Sequence, residues 1–295
     1  MIFHPLNSLQ IPAKARILKA QSTLTGGITM IAVVTGASSG IGYEVCSQLL
    51  AKGYTVYGLS RRGTAPEGVT GRSVDVTDEA AVRAVIDEIA AAEGRIDLLV
   101  ANAGMGISGP IELTDNADAD YLMRVNFFGQ FYAAKAVLPY MRAQASADAG
   151  SKQKAGTIVF TSSVAAPIPI PYQSFYSASK AAVNSLALAL RNEVRSYGIR
   201  VSAVMPGDSG TGFTDARRKQ DGGDAYPRCE KAVSSMEHDE RNGIAPAKVA
   251  SVIVRAATKK NPAPLYVAGF RYRLLLALFN ILPTRAAIWL VGKVY

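Results

Sequence analysis

Residues Met30 to Gly42 constrain the fold of this chain more than any other stretch. Met30-Ile31-Ala32-Val33-Val34 is an apolar run of the length of a buried parallel strand, Thr35-Gly36-Ala37-Ser38-Ser39-Gly40-Ile41-Gly42 follows directly, and an apolar-periodic helix runs on through Lys52. Strand, glycine turn and helix start in that order bring backbone N–H groups and the positive end of a helix dipole to one point. The glycines allow a tight turn and the close approach of a pyrophosphate. The pattern assigns Gly36, Ser38, Ser39, Gly40, Ile41 and Gly42 to a dinucleotide. An ordinary glycine-rich strand-to-helix turn is the alternative.

The alternation continues to the end of the chain. Strands are expected at Thr55 to Leu59, at a short segment ending in Ser73-Val74-Asp75-Val76, and at Ile96 to Ala101, Thr157 to Thr161, Arg200 to Met205 and Leu265 to Val267. Helical periodicity marks Asp78 to Ala92, Tyr121 to Met141, the segment carrying Tyr176 to Lys180, and Pro246 to Ala257. This predicts one α/β domain over residues 30–269, Rossmann-type and doubly wound, its seven-stranded and mainly parallel sheet flanked by helices. Residues 1–29 are expected as a disordered leader or the product of an upstream start, and Gln144 to Lys154 as a mobile surface loop. Residues 214–243 are polar and weakly periodic and are read as a substrate lid with some helix. Within them Arg217, Arg218 and Lys219 read more readily as a solvated face than as a receptor for an acidic substrate.

Chemistry-bearing residues fall at the strand ends, where ligands of open α/β sheets bind. Ser60, Arg61 and Arg62 end the second strand, where an acidic residue would hold the ribose hydroxyls of NAD and an arginine can pair with the 2′-phosphate of NADP. NADP(H) is therefore expected over NAD(H), although either arginine could instead be a solvated loop charge. Asp75 and Val76 follow the third strand, Asp75 being also suited to a turn or helix entry. After the fourth come Asn102, Ala103 and Gly104, an amide that can tie strands together and a glycine that leaves room for a cofactor. Asn126 is an amide in an apolar helix, hence a structural tie or part of a polar network. Tyr176 and Lys180 are one turn apart, so the two side chains share a face, and the cation is expected to lower the phenol's pKa toward working pH. Ser162-Ser163, a short loop upstream, can bring a hydroxyl beside them.

A net charge of +9 suits an anionic partner such as a phosphorylated cofactor, a carboxylated substrate or an acidic membrane surface. Zinc-finger spacing, RNP-like aromatics and base-reading basic helices are lacking, so nucleic acid is not expected. No run reaches the roughly 18 apolar residues of a membrane span. Cys46 and Cys229 form no CxxC pair, and Cys46 reads as a small core residue of a protein in a reducing cytoplasm. His4 and His238 have no second ligand at metal spacing, and no metal is expected. Residues 270–295 place Leu274 to Phe279 and Ile288 to Val291 on either side of Pro283, with Arg271, Arg273, Arg285 and Lys293 interspersed. This apolar extension reads as a cover for a greasy substrate, a peripheral membrane contact, or a packed C-terminal or subunit-interface segment.

From Met30 to Val267 the chain resembles the short-chain dehydrogenase/reductase family. Residues 35–42 look like its TGxxxGxG turn, Asn102-Ala103-Gly104 its NAG segment and Tyr176 to Lys180 its YxxxK, while Ala101 stands where many members have a second Asn. Asn126 and Ser163 match the rest of its Asn-Ser-Tyr-Lys tetrad, and Pro206, Gly207 and Thr211 its segment near the nicotinamide amide. The resemblance implies that Tyr176 exchanges a proton with the substrate oxygen and that Ser163 hydrogen-bonds that oxygen. Lys180 would hold the nicotinamide ribose, and Asn126 a water linking Lys180 to solvent. It also implies a homodimer or homotetramer through the helices corresponding to Tyr121 to Met141 and Tyr176 to Tyr197. The Ser163-Val164 pair, the segment from Pro206 to Phe213 and the apolar extension are similar to hydroxysteroid and retinol dehydrogenase-like members. A hydrophobic secondary alcohol or ketone, steroid- or lipid-like, is the expected substrate. A 3-oxoacyl or small-carbonyl reductase is the alternative enzyme, and a dinucleotide-binding sensor the alternative without turnover.

Overall fold

The structure is a computed structural model and describes residues 29–147 and 155–294. Residues 1–28 of the expected leader and most of the loop placed at Gln144 to Lys154 lie outside the described residues. Seven parallel strands form one sheet: β1 (Ile31–Thr35), β2 (Thr55–Ser60), β3 (Thr70–Ser73), β4 (Leu98–Ala101), β5 (Thr157–Thr161), β6 (Arg200–Pro206) and β7 (Leu265–Ala268). Their order across the sheet is β3-β2-β1-β4-β5-β6-β7. β1 is therefore central, and the chain leaves it on one side for β2 and β3 and returns on the other for β4. That reversal opens a crevice at the carboxyl end of β1, where ligands of doubly wound sheets bind.

The inner strands β1, β4 and β5 are buried on both faces because helices cover both, whereas the edge strand β3 is polar and partly exposed. Ile31 and Val33 point with Leu99, Ile158 and Phe160 to one core, against α2 (Glu79–Glu93), α4 (Gly129–Ala147) and α5 (Ser174–Glu193). Ala32 and Val34 point with Val100, Val159 and Val204 to the other, against α1 (Gly40–Ala51) and α7 (Pro246–Thr258). Cys46 lies in this second core, and burial pushes its thiol up to about 12, so it acts as a small apolar residue. Asp78 caps α2 by accepting from the Ala81 N–H at 3.0 Å, and Gly94 closes it in the left-handed conformation.

Three expected elements differ from those observed. The third strand is Thr70–Ser73 and ends before Val74, Asp75 and Val76. The two valines are buried because they pack at the end of the sheet, which imitates a strand pattern. The expected helix from Tyr121 to Met141 is α3 (Asn116–Met123), a π-helical turn at Arg124–Phe128, and α4. α4 carries Pro139 and runs past the expected loop start at Gln144 to Ala147. Gln144 is a tie, since its Oε1 accepts from Ile96 N at 2.8 Å and its Nε2 donates to the carbonyls of Ile96 and Ala155 at 3.0 and 3.1 Å.

One buried charge holds the amino end of the sheet. The Asp97 carboxylate, wholly enclosed, accepts from the Ile31 N–H at 2.8 Å and pairs with Arg95 at 2.6 Å. Removing the carboxylate takes away the buried acceptor of the Ile31 N–H along with the ion pair. Asp97→Ala is expected to cost roughly 3 kcal/mol in urea unfolding, with the turnover of the remaining folded enzyme unchanged because the site is at the opposite end of the strands.

The last two helices are α8 (Phe270–Ile281) and α9 (Thr284–Val294), after α6 (Cys229–Arg241) in the segment read as a lid. No helix of the described residues is long and apolar enough to cross a membrane.

Candidate active site

The crevice beyond β1 is a cleft of about 430 Å³. Of the residues assigned to a dinucleotide, Gly36, Ser38, Ser39, Gly40, Ile41, Ser60, Arg61, Asp75, Val76, Asn102, Ala103, Gly104, Tyr176, Lys180, Pro206, Gly207 and Thr211 line it, as does Ser163. Gly42, Arg62 and Asn126 do not. Gly42 works from behind the turn: a Cβ there would lie 2.2 Å from the Gly36 carbonyl oxygen and 2.6 Å from Asn102 Nδ2. Gly36 itself takes φ +71°, a conformation costly for other residues. The structure separates the two arginines. Arg61 faces the cleft, with Nη1 3.4 Å from the Tyr121 hydroxyl, another lining group, while Arg62 is exposed outside it. Asp75 lines the cleft and makes the turn contact, its Oδ1 accepting from the N–H and hydroxyl of Thr77 at 2.9 and 2.8 Å.

Asn102 ties three strands across the floor. Its N–H donates to Thr35 Oγ1 at 2.9 Å, its Nδ2 to Thr35 O at 3.2 Å, and its Oδ1 accepts from Thr161 Oγ1 at 3.2 Å. Asn126, on the π turn, is fully buried, as an amide with satisfied partners can be. Its Oδ1 accepts from Met105 N at 2.7 Å, and its Nδ2 donates to Met105 O at 2.9 Å and Ser179 Oγ at 3.1 Å. It is thus a tie between the loop after β4 and α5. A Cβ at Gly104 would fall 3.3 Å from Asn126 Oδ1 and 3.4 Å from Lys180 Nζ, so the glycine keeps the space beside both open.

β5 and α5 bring the remaining three together. The loop between them contains Tyr172, which takes φ +59°. The Ser163 side chain lies near enough to the Tyr176 hydroxyl to favour its ionised form, and Lys180 Nζ donates to the Thr161 carbonyl at 3.0 Å and lies 5.8 Å from the Tyr176 ring centre. Burial pushes Tyr176 up to about 12; the Ser163 side chain and Arg217 oppose this, and Glu240 and Asp208 add to it. Burial lowers Lys180 to about 8. The expectation that Lys180 brings the phenol's pKa down is therefore corrected: burial sets the direction of the shift, and Lys180 is not among the groups that move it. At neutral pH the site holds a protonated phenol, and the arrangement can donate a proton to an oxygen seated between Ser163 and Tyr176.

The substrate end of the cleft was less legible. Val164, Ile170, Phe213 and Met236 supply apolar wall, and Asp208 and Glu240 supply carboxylates. Phe213 packs on the Tyr176 ring at 5.6 Å between centres. The reading of Arg217, Arg218 and Lys219 as a solvated face is overturned at Arg217, which is buried and paired with Glu240, whereas Arg218 and Lys219 are exposed and pair at the surface with Asp118 and, at 2.5 Å, Glu237. Arg218–Lys219 also forms a two-residue parallel pairing with Ile107–Ser108, which fixes the segment beside the cleft. Their partners come from α3 and α6, so nothing local in the sequence shows them. Tyr272 of α8 donates to Asp208 at 2.5 Å, and a Cβ at Gly207 would meet its ring at 2.1 Å.

The walls fit a dinucleotide: an open glycine-lined cradle at a helix start, with a cation at one end and a hydroxyl pair and ammonium at the other. Comparison with known proteins agrees. The model of the short chain dehydrogenase family matches residues 30–222. A 3-ketodihydrosphingosine reductase of Bacteroides thetaiotaomicron is 41% identical over 240 residues, 79% of this chain and 85% of its own. An NADPH-dependent 3-dehydrocapnine reductase of Ornithobacterium rhinotracheale is 30% identical over 271 residues, 86% of this chain and 93% of its own. A short-chain dehydrogenase structure from Streptomyces avermitilis, 29% identical, superposes with a TM-score of 0.76 over 90% of this chain and 97% of its own. The chain belongs to the short-chain dehydrogenase/reductase family of oxidoreductases.

Proposed function

We propose that the protein is an NADPH-dependent reductase of a ketone carried on a long-chain lipid. The observation that carries this reading is the meeting of Ser163, a protonated Tyr176 and Lys180 at one end of a dinucleotide cradle whose other end presents Arg61. Bound in that cradle, the nicotinamide supplies hydride to the carbonyl carbon. Ser163 donates to the carbonyl oxygen and favours the charge that develops on it. Tyr176 gives that oxygen its proton. The Lys180 ammonium then lies near the phenolate that remains, and Asn126 fixes the helix that carries both.

Of the steroid and lipid classes, the lipid is favoured by the relative that reduces 3-ketodihydrosphingosine. A substrate of that class has a long apolar chain with an amino group beside the ketone. Val164, Ile170, Phe213 and Met236 suit the chain, and Asp208 suits a cationic group near the reacting carbon, Glu240 being already paired with Arg217.

Arg61 supports NADPH as the donor, as does the NADPH dependence of the 3-dehydrocapnine reductase. A charge-assisted bond to phosphate contributes roughly 1.5–3 kcal/mol. Arg61→Ala is expected to lower kcat/KM for NADPH by roughly 10- to 100-fold and to leave that for NADH nearly unchanged. Equal losses with both cofactors would place the 2′-phosphate elsewhere.

The lowered pKa of Lys180 gives a pH dependence of definite sign. Its ammonium is complete well below pH 8 and is lost as pH rises through about 8. The profile of kcat/KM for NADPH, which reports the cofactor-free enzyme, is expected to fall on the alkaline side with an apparent pKa near that value. A profile flat to pH 10 would remove Lys180 from this role.

A further inference from the structure

We propose that the outer face of α8 and α9 docks the protein on a membrane surface of anionic lipid. The inner face of the pair is fixed to the catalytic domain. Leu276 and Ala287 are buried, Phe279 and Val291 pack against the cluster of Val164, Ile168 and Met205, and Tyr272 stands on Gly207. The outer face has no such partner among the described residues. Phe270, Leu274, Leu278, Ile281, Trp289 and Val294 are exposed, Ile281 by 81% and Trp289 by 62%. These two helices carry more exposed large apolar side chains than the rest of the described chain together, where the others are scattered over separate elements. A contiguous apolar patch of this kind marks an interaction surface.

Charge selects the occupant. Residues 269–294 include Arg271, Arg273, Arg285 and Lys293 and no aspartate or glutamate. Arg273 lies over the Phe270 ring at 5.8 Å and Lys293 over Trp289 at 5.6 Å, so apolar ring and cationic head are presented side by side. An apolar face rimmed by cations and a ring at each end is the composition of a helix lying in the headgroup layer of an anionic leaflet. With 12 and 11 residues the helices rise roughly 18 Å and 17 Å, well short of the ~30 Å hydrocarbon core, and Pro283 breaks the pair between them. They lie on the surface and do not cross it.

A second feature connects this face to the cleft. An open, mainly apolar groove of about 520 Å³ runs between α9 and the loop preceding α5, lined by Pro169, Ile170, Pro171, Ala178, Ile288 and Val291. Ile170 lines the catalytic cleft as well. A chain leaving the leaflet along α9 would follow apolar wall to Tyr176. This route rests on the lipid reading above, whereas the docking itself does not.

Trp289 is the chain's single tryptophan, so its emission reports this face alone. The full-length protein is titrated with vesicles of phosphatidylcholine containing phosphatidylglycerol and with vesicles of phosphatidylcholine only, no substrate being present. Emission is expected to shift to the blue and to be quenched by brominated acyl chains, with affinity on the order of 100-fold higher for the anionic vesicles. The double variant Leu278→Glu, Ile281→Glu is expected to lose most of that affinity while reducing a detergent-dispersed ketone at the wild-type rate. The variant Arg271→Glu, Arg273→Glu is expected to lose the anionic preference. Several outcomes would overturn the proposal. One is an emission unchanged by anionic vesicles. Another is a blue-shifted emission without lipid that strengthens with protein concentration as a dimer forms, which would assign the face to a second copy. A third is a blue-shifted emission in the dilute monomer that disappears when residues 1–28 are removed. Vesicle binding without turnover, or turnover in detergent without vesicle binding, separates this proposal from the catalytic one.

Discussion

Replacing Tyr176 by Phe is expected to lower kcat by about 10³-fold, within the usual range for loss of a positioned proton donor, while NADPH still binds. The change removes one oxygen from a half-buried ring that remains packed on Phe213. Two further features of the site make the loss large. Burial holds the phenol up at about 12, so it is a proton donor across the working range, and the Ser163 side chain stands beside it. Lys180 is displaced from the phenol's position, its Nζ lying 5.8 Å from the ring centre and held by the Thr161 carbonyl at 3.0 Å. The measurement is single-turnover loss of NADPH absorbance with cofactor affinity determined separately. A Phe variant with wild-type kcat would assign proton donation to another group.

Gly42→Ala is expected to weaken NADPH binding by about 100-fold, the scale of the few kcal/mol set by overpacking a closely packed contact. Gly42 does not line the cleft, so the effect is indirect and tests how the cradle is built. The added Cβ meets the Gly36 carbonyl at 2.2 Å and Asn102 Nδ2 at 2.6 Å, the first being backbone that cannot step aside. Either the turn or α1 must move, and the N–H groups at the helix start move with it. Affinity by fluorescence titration of NADPH, with a thermal melt beside it, checks this. Unchanged affinity would mean that the turn absorbs a methyl without displacing its donors.

What the sequence revealed and what it hid follow from the range of the interactions. The cradle was legible because strand, glycine turn and helix are contiguous, and Tyr176 with Lys180 because helical spacing alone puts them on one face. Asn126 was legible as a buried amide, though its position on a π turn was not, since both flanking helices share one apolar period. The burial of Arg217 was hidden because its partner Glu240 is 23 positions away on α6. Gln144 looked like loop because its partners lie on the strand ends at Ile96 and Ala155. Val74 and Val76 read as strand because packing at a sheet end and pairing within it demand the same residue types. The sign of the shift at Tyr176 was missed for a related reason: the charge of Lys180 is visible in the sequence, whereas the desolvation that sets the direction belongs to the assembled cleft.

The central claim is tested most directly by offering purified protein a long-chain 2-amino-3-ketone lipid in detergent, with NADPH and NADH supplied separately, beside ketosteroids, 3-oxoacyl thioesters and small ketones. The expected result is oxidation of NADPH in step with reduction of the long-chain ketone, faster than with any other carbonyl of the panel and faster than with NADH. Tight NADPH binding with no turnover of any carbonyl would contradict it and favour a dinucleotide-binding sensor, and preferred turnover of a 3-oxoacyl thioester would move the substrate to that class.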